Sequence, residues 1–173
     1  QEGFLFAGGN LLKERKISHI GVLIKHPKGD ILFDTGLGTN IEEQFEKHMN
    51  FVNKQLFKFT KKDTIKNILT KNNFDFKALN FILISHLHFD HASGIKDFPE
   101  VPIWTTKEEY KHAMKDNASK TAFFQEQYNG NEVKWNFLRL SPTKYENFNE
   151  AYDVYNDGSI VIVPLTGHTK GSL

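Results

Sequence analysis

The feature of this 173-residue sequence that most constrains its fold is an apolar run followed at once by a histidine-rich segment. Residues 81–84 (FILI) are continuously apolar, which is typical of a strand buried on both faces of a sheet. His86, His88, Asp90 and His91 come next, so four side chains able to bind a metal fall within six residues. Because α/β sheets place their sites at the carboxyl ends of strands, this segment is predicted to be a functional site. A histidine-rich surface loop is the alternative interpretation.

The spacing and type of these side chains indicate the kind of metal site. His86 and His88 are two residues apart and project to the same side of an extended segment, where both can bind one ion. Asp90 and His91 follow where the chain is expected to turn, in position for a second ion. The sequence contains no cysteine, so imidazole and carboxylate are the candidate ligands. Such ligands suit a catalytic Zn²⁺ site with an open position better than a closed structural site.

A further histidine is predicted at the end of another strand. The apolar segment at residues 160–165 leads into a turn in which His168 lies between Gly167 and Gly171. Catalytic zinc commonly has three protein ligands, and His86, His88 and His168 would supply them. A histidine in such a turn is on its own more often a turn residue, but the upstream cluster favours a ligand role.

Segments with strand and helix patterns alternate along the chain, which favours an α/β architecture. Strands are expected at 20–24, 31–33, 81–84, 101–104, 133–137 and 160–163. One helix is predicted to begin at Asp63 as N-cap and another at the capping box Thr106–Glu109, while residues 116–131 are predicted to be helix and loop. Because there is no repeat and no low-complexity linker, residues 1–173 are interpreted as a single domain.

Composition restricts the function classes. Lys and Arg number 22 and Asp and Glu 21, a balance that gives little support to a nucleic-acid partner. No apolar run approaches the roughly 20 residues that span a bilayer, so no membrane partner is expected. The absence of cysteine excludes disulfides and thiol catalysis. The expected compartment is cytoplasmic by default, with periplasmic or secreted as alternatives because Gln1 is not an initiator Met.

Three motifs resemble those of the metallo-β-lactamase superfamily, whose defining motif is H-x-H-x-D-H. They are the FDTG segment at 33–36, the cluster at 86–91 and the Gly-His-x-x-Gly-Ser turn at 167–172. Within the superfamily, the segments at 65–69, 81–84 and 102–103 look most like those of N-acyl-homoserine lactonases. The resemblance implies an αββα sandwich with a dinuclear zinc site, and hence two Zn²⁺ ions, at one sheet edge.

The resemblance also implies a role for each site residue. His86, His88 and His168 match the ligands of the first metal, and Asp90 and His91 match those of the second. Asp34 matches an aspartate that supports the metal loop without ligating. The family's bridging aspartate and final histidine lie downstream of this turn, whereas the chain ends five residues after His168. The C-terminal part of the sandwich, and part of the second metal site, are therefore expected to be missing from this sequence.

The activity that the resemblance implies is zinc-dependent hydrolysis of a small carbonyl compound. A lactone of the acyl-homoserine type is favoured as substrate, with Asp90 as the catalytic residue that orients the attacking water and carries a proton to the leaving oxygen. Alternatives are a glyoxalase II-like thioesterase, a β-lactamase, or a non-enzymatic metal-binding domain without a complete active site. An iron-dependent dioxygenase is a further alternative, because the ligand type does not fix the metal.

Other segments leave two interpretations open. Residues 40–60 contain Phe45, Met49, Phe51, Leu56, Phe57 and Phe59, which form either a lid for an acyl chain or a peripheral helix packed on the core or on a partner in a homodimer. Thr169 and Ser172 either hydrogen-bond His168 or are ordinary turn residues. The remaining histidines have no partner at ligand spacing and are interpreted as surface or core residues: His19, His26, His48 and His112.

Overall fold

A five-stranded mixed sheet lies at the centre of the computed structural model, which describes residues 8–10, 12–14, 16, 18–56, 63–115 and 122–173. The strands lie side by side in chain order: β1 (Val22–Ile24), β2 (Asp30–Phe33), β3 (Leu79–Leu83), β4 (Ile103–Thr106) and β5 (Trp135–Leu138). β1 is antiparallel to β2, and the strands from β2 to β5 are parallel. A separate antiparallel pair consists of β6 (Tyr152–Asp153) and β7 (Val161–Ile162). The predicted strands are therefore present, with most ends shifted by one or two residues.

Short helices connect the strands. They are α1 (Ile41–His48), α2 (Phe51–Leu56), α3 (Ile65–Lys71), α4 (Phe89–Ala92) and α5 (Lys107–Ala113), with 3₁₀ turns at Phe76–Ala78, Ile95–Asp97 and Gln125–Gln127. Within 116–131, residues 116–121 lie outside the described part, and the rest is loop around the last 3₁₀ turn. None of the helices in the described ranges is long and apolar enough to cross a membrane.

The predicted N-cap of α3 was wrong by one residue. The cap is Thr64, whose extended backbone lets its hydroxyl accept the N–H of Asn67 at 3.1 Å. Asp63 instead accepts the N–H of Thr64 and pairs with Lys71 at the end of the helix. Either side chain is a good cap by type, so the composition of the segment did not distinguish them.

Apolar side chains on both faces of the central sheet build the layers of the fold. On one face, Ile82 of β3 packs in a buried cluster with Leu69 of α3 and Ala113 of α5. On the other face, Phe81 packs in a second cluster with Ile162 of β7. The described residues thus form helices, a large sheet and a small sheet in succession, which are three of the four layers of the expected αββα sandwich.

The parallel strands end at one edge of the sheet, where the predicted site residues lie. Asp34 follows β2, Ser85 and His86 follow β3, and Thr106 ends β4. The backbone N–H of Leu173 donates to the carbonyl of Ser85 at 3.1 Å, which brings the end of the second half of the chain to the same edge. The topology therefore places side chains that are distant in the sequence beside one another.

Candidate metal centre

Residues 85–91, the first loop, carry four of the five predicted ligands and begin inside the core. Ser85, His86 and Leu87 are at most 7% exposed. The Ser85 hydroxyl donates to Asp34 at 2.8 Å, which leaves its oxygen free to accept from Nδ1 of His86 at 3.0 Å. This bond favours the tautomer with its lone pair on Nε2, and the buried Nε2 of His86 has no hydrogen-bond partner in the described part of the chain.

Three imidazoles converge at the edge of the sheet. The ligand nitrogens of His86, His88 and His168 all lie within 4.8 Å of one another, and Nδ1 of His88 is 3.0 Å from Nε2 of His168. Nitrogens bound at 2.0–2.1 Å to a tetrahedral zinc ion are about 3.3 Å apart. The pair of His88 and His168 is therefore close to the spacing that one ion requires, and His86 lies within 4.8 Å of both. The triad joins the first loop to residues 166–172, the second loop.

Asp90 and His91 form an adjacent pair on α4. Oδ2 of Asp90 is 3.7 Å from Nε2 of His91, and the rings of His91 and His86 are 4.0 Å apart. Nδ1 of His91 contacts Oδ2 of Asp34 at 2.7 Å, so Nε2 is the nitrogen that faces Asp90. Although burial lowers the pKa of His91, the hydrogen bond to Asp34 and the charge of Asp90 raise it overall.

Asp34 lies beneath the first loop, as the sequence predicted. It is 5% exposed and accepts the backbone N–H of Ser85 at 2.8 Å in addition to the Ser85 hydroxyl and His91. Its φ of 58° is in the left-handed region, which Asp tolerates better than most residues. The next residue, Thr35, donates both its N–H and its hydroxyl to the carbonyl of His91. These bonds fix the two ends of the first loop.

The environment of His86, His88 and Asp90 keeps them in the protonation states that bind a cation. Burial, assisted by the imidazoles of His91 and His88, lowers the pKa of His86 to about 3. Burial is also the main cause that lowers the pKa of His88 to about 4. Burial opposes ionisation of Asp90, but His19 and His91 outweigh it and hold its pKa at about 2. At pH 7 the two imidazoles are therefore neutral and the carboxylate is ionised, the forms in which these groups bind metals.

Similarity to known proteins extends over most of the chain. Residues 20–172 match the family model of the metallo-beta-lactamase superfamily. The chain belongs to the metallo-β-lactamase superfamily. Members of this superfamily bind metal ions, in agreement with the convergence of His86, His88 and His168.

Curated relatives in the superfamily include N-acyl homoserine lactonases. AttM of Agrobacterium fabrum is 26% identical over 151 residues, which cover 86% of this chain and 55% of AttM. AiiA of Bacillus thuringiensis subsp. kurstaki is 38% identical over 96 residues, which cover 53% of this chain and 38% of AiiA. The chain thus spans about half the length, or less, of these curated relatives.

Solved structures show the same similarity. A crystal structure of a B. thuringiensis AiiA variant with N-decanoyl-L-homoserine bound at its active site has a TM-score of 0.65 and 26% identity, covering 87% of this chain and 54% of AiiA. A quorum-quenching N-acyl homoserine lactone lactonase has a TM-score of 0.60 and 26% identity, covering 87% and 51%. These matches confirm the metallo-β-lactamase fold that the motifs predicted.

The residues present fit the metal that the superfamily implies. Imidazole and carboxylate are suitable ligands for Zn²⁺. The buried Nε2 of His86 supports this fit. Buried polar atoms are ordinarily hydrogen-bonded, and this nitrogen has no partner among the described residues, so its lone pair is available to a metal ion. His86, His88 and His168 would hold one ion, and Asp90 and His91 offer ligand atoms beside it.

The hydroxyls of the second loop have structural roles. Thr169 donates to Glu109 at 2.6 Å, and Ser172 donates to the carbonyl of Leu165 at 2.6 Å. The hydrogen bonds found for these two hydroxyls do not involve the ring of His168. Thr169 thus joins the loop of His168 to α5, whereas Ser172 is bonded as a residue of the turn.

His19 is the site residue that the sequence did not reveal. Its Nδ1 lies 3.4 Å from Oδ2 of Asp90, and the two side chains are 21% and 26% exposed. Spacing along the chain gives no indication of this contact, since His19 precedes β1 and Asp90 is on α4. The other histidines interpreted as unrelated to the site include His26, which stacks on Tyr155 at 4.3 Å.

Helix α1 packs beside the first loop. Phe45 and Met49 are buried in a cluster with Phe124, and Phe89 of the first loop packs against it. This arrangement agrees with the peripheral-helix alternative for the start of the 40–60 segment. Phe51 at the start of α2 is 76% exposed, whereas residues 57 and 59 lie outside the described part of the chain, so the lid stays a prediction.

Proposed function

We propose that the protein is a zinc-dependent hydrolase that opens the ring of a lactone, with N-acyl homoserine lactones as the substrate class. The observation that carries the proposal is the convergence of His86, His88 and His168 from two loops to within 4.8 Å. The similarity to AttM and AiiA supports the lactone over other carbonyl substrates.

The side chains of this chain have distinct roles in the proposed reaction. A zinc ion bound by the triad supplies a Lewis acid that polarises a carbonyl and lowers the pKa of water toward neutrality. The neutral imidazoles of His86 and His88 provide lone pairs at neutral pH, because their pKa values lie at about 3 and about 4. His91 is oriented by Asp34 so that its Nε2 lies beside Asp90.

Asp90 is proposed to hold the proton of the attacking water. Its carboxylate is ionised at neutral pH, because its pKa is about 2, and Oδ2 faces the imidazoles. Ring opening releases an alkoxide, so Oδ2 of Asp90 can pass the same proton to the leaving oxygen as a general acid. The Asp90 side chain is 26% exposed, which leaves it accessible from solvent.

The test combines metal analysis with a panel of substrates. The purified protein is assayed with an N-acyl homoserine lactone, a thioester and a β-lactam, and its zinc content is measured. We expect bound zinc, the lactone as the fastest substrate, and a loss of at least about 100-fold in activity together with the metal in His88→Ala.

His26→Ala is the matched control. His26 lies just before β2, at the end of the strand opposite to the site, and should leave zinc content and activity unchanged. Absence of bound zinc in the unaltered protein would refute the hydrolase proposal. Faster cleavage of the thioester or the β-lactam would support the proposal of a hydrolase but contradict the proposed substrate class.

A further inference from the structure

A fully buried carboxyl group behind the metal centre is not accounted for by the proposed reaction. Glu109, in the first turn of α5, is 0% exposed. Tyr128, which is also fully buried, lies close enough that burial and the charge of Glu109 raise its pKa. Burying such a group is costly unless its oxygens are hydrogen-bonded, so its partners indicate why it is there.

The partners of Glu109 belong to the two loops that carry the histidines. Oε1 accepts the backbone N–H of Leu87 at 2.9 Å, and Leu87 lies between His86 and His88. Oε2 accepts the Thr169 hydroxyl at 2.6 Å and the N–H of Gly171 at 3.1 Å, both on the second loop, which carries His168. One carboxylate therefore joins the backbone of the first loop to the second.

The second loop also fits closely against the start of α5. Thr106 caps the helix by accepting the N–H of Glu109 at 3.1 Å, and the same hydroxyl donates to the carbonyl of Gly171 at 2.8 Å. A Cβ atom at Gly171 would overlap the backbone nitrogen of Glu109 and Oγ1 of Thr106. Position 171 therefore has room only for glycine, and this close contact sets the distance between the second loop and α5.

A capping role alone does not explain Glu109. In a capping box the glutamate side chain returns to the N–H of the N-cap residue, whereas here both carboxyl oxygens accept bonds from the loops. All three donors lie within three residues of His86, His88 or His168. A carboxylate provides acceptors only, which matches a set of partners made entirely of donors.

We propose that Glu109 is a positioning residue that holds the two histidine-bearing loops at metal-binding distance from each other. The inference rests on the proposed metal centre and assigns it a supporting group that touches none of the ligand side chains. Partners outside the ligand set typically change metal affinity by 10- to 100-fold when they are removed.

The experiment uses Co²⁺ as the probe, because its visible absorption reports the geometry of its ligands as well as its binding. Glu109→Gln preserves the shape of the side chain but replaces one acceptor oxygen by a donor group. We expect at least a 10-fold weaker affinity for Co²⁺ and an altered visible spectrum relative to the unaltered protein.

Asp30→Asn is the matched control for this variant. Asp30 is 5% exposed, accepts the N–H of His26 and pairs with Lys25, so it is a buried, hydrogen-bonded carboxylate at the opposite end of β2. The control should lower thermal stability while retaining the affinity for Co²⁺ and its spectrum. A purely structural role of Glu109 predicts that the two variants behave alike.

Thr169→Val gives a second measurement if Glu109→Gln fails to fold. Valine preserves the shape of Thr169 but removes its bond to Glu109, so a smaller loss of affinity with a spectral change is expected. Unchanged Co²⁺ binding in a folded variant would overturn the role of Glu109. If the unaltered protein itself binds no Co²⁺ or Zn²⁺, the proposed function fails instead, so the two failures are distinguishable.

Discussion

The two loops that carry the candidate metal ligands are held in place differently. The first loop continues from the buried strand β3, and both of its ends are bonded to the segment that contains Asp34. The second loop carries an exposed histidine, His168, whose ring contacts His88. It is attached to the rest of the fold through the start of α5, at Glu109 and Thr106.

This difference indicates which contacts at the site contribute to the stability of the fold and which only position a side chain. The bonds of the first loop lie in the core, so they form with the fold and contribute to its stability. The second loop places one candidate ligand, His168, by means of a few contacts with the start of α5. Changes beneath the first loop should therefore alter the stability of the whole protein, whereas changes in the second loop should alter metal affinity more than stability.

Replacement of Asp34 by Asn tests the first half of this comparison and should have the largest effect. Asparagine tolerates the positive φ of this position, so the variant changes hydrogen bonding while keeping the backbone. The asparagine side chain has only one acceptor oxygen for the donors that the two carboxylate oxygens of Asp34 accept. We expect the free energy of unfolding of the metal-free protein to fall by roughly 3 kcal/mol, measured by urea denaturation.

Asp30→Asn serves as the reference for this measurement, since it makes the same chemical change at another buried carboxylate. We expect it to cost about 1–2 kcal/mol, because it affects one backbone N–H and a lysine that is largely exposed. Equal losses in the two variants would mean that the first loop is not specially supported by Asp34.

Gly171→Ala tests the second half, with an intermediate effect. The added methyl group would collide with the start of α5, so the second loop must move away together with His168. We expect metal affinity to fall about 10-fold and the free energy of unfolding to fall by about 1 kcal/mol, measured by Zn²⁺ titration and urea denaturation.

Lys170→Ala is the control in the same loop, because its side chain is exposed. It should bind Zn²⁺ as the unaltered protein does. If Gly171→Ala lowered stability as much as Asp34→Asn and left Zn²⁺ affinity unchanged, the distinction between the two loops would be lost.

The first loop could be predicted from the sequence because its information is local. The apolar run at 81–84 specifies a buried strand, and the spacing of His86, His88, Asp90 and His91 follows it directly. The helix start at Thr106 was predicted for the same reason, and it is confirmed. His168 was likewise predicted as a ligand from a strand followed by a turn, although its distance to the other histidines depends on the fold.

The supporting contacts could not be predicted because their partners are distant in the sequence. The spacing of Thr106 and Glu109 matches the capping-box pattern, so the sequence alone gave no reason to expect that Glu109 bonds the two loops instead. His19 had no partner at ligand spacing, and only the packing of the segment before β1 against α4 brings it to Asp90. Tertiary structure, rather than residue type, assigns these roles.

The contact between His19 and Asp90 suggests that the first loop has a further support, with the smallest expected effect. Its strength is measured by a double-mutant cycle with His19→Ala and Asp90→Asn, using urea denaturation of the metal-free protein at pH 6. Because the pKa of Asp90 is lowered to about 2, this stabilisation is present above the unfolded pKa near 3.8 and is lost as the pH falls toward 2. We expect a coupling of about 0.5 kcal/mol at pH 6.

A cycle between His26→Ala and Asp90→Asn provides the baseline, since His26 lies at the opposite end of β2 and its coupling should be zero. Additive effects of His19 and Asp90 would remove His19 from the supports of the loop. A coupling as large as the effect of Asp34→Asn would change the comparison more deeply, because the first loop would then depend on the segment before β1 as strongly as on the core beneath it.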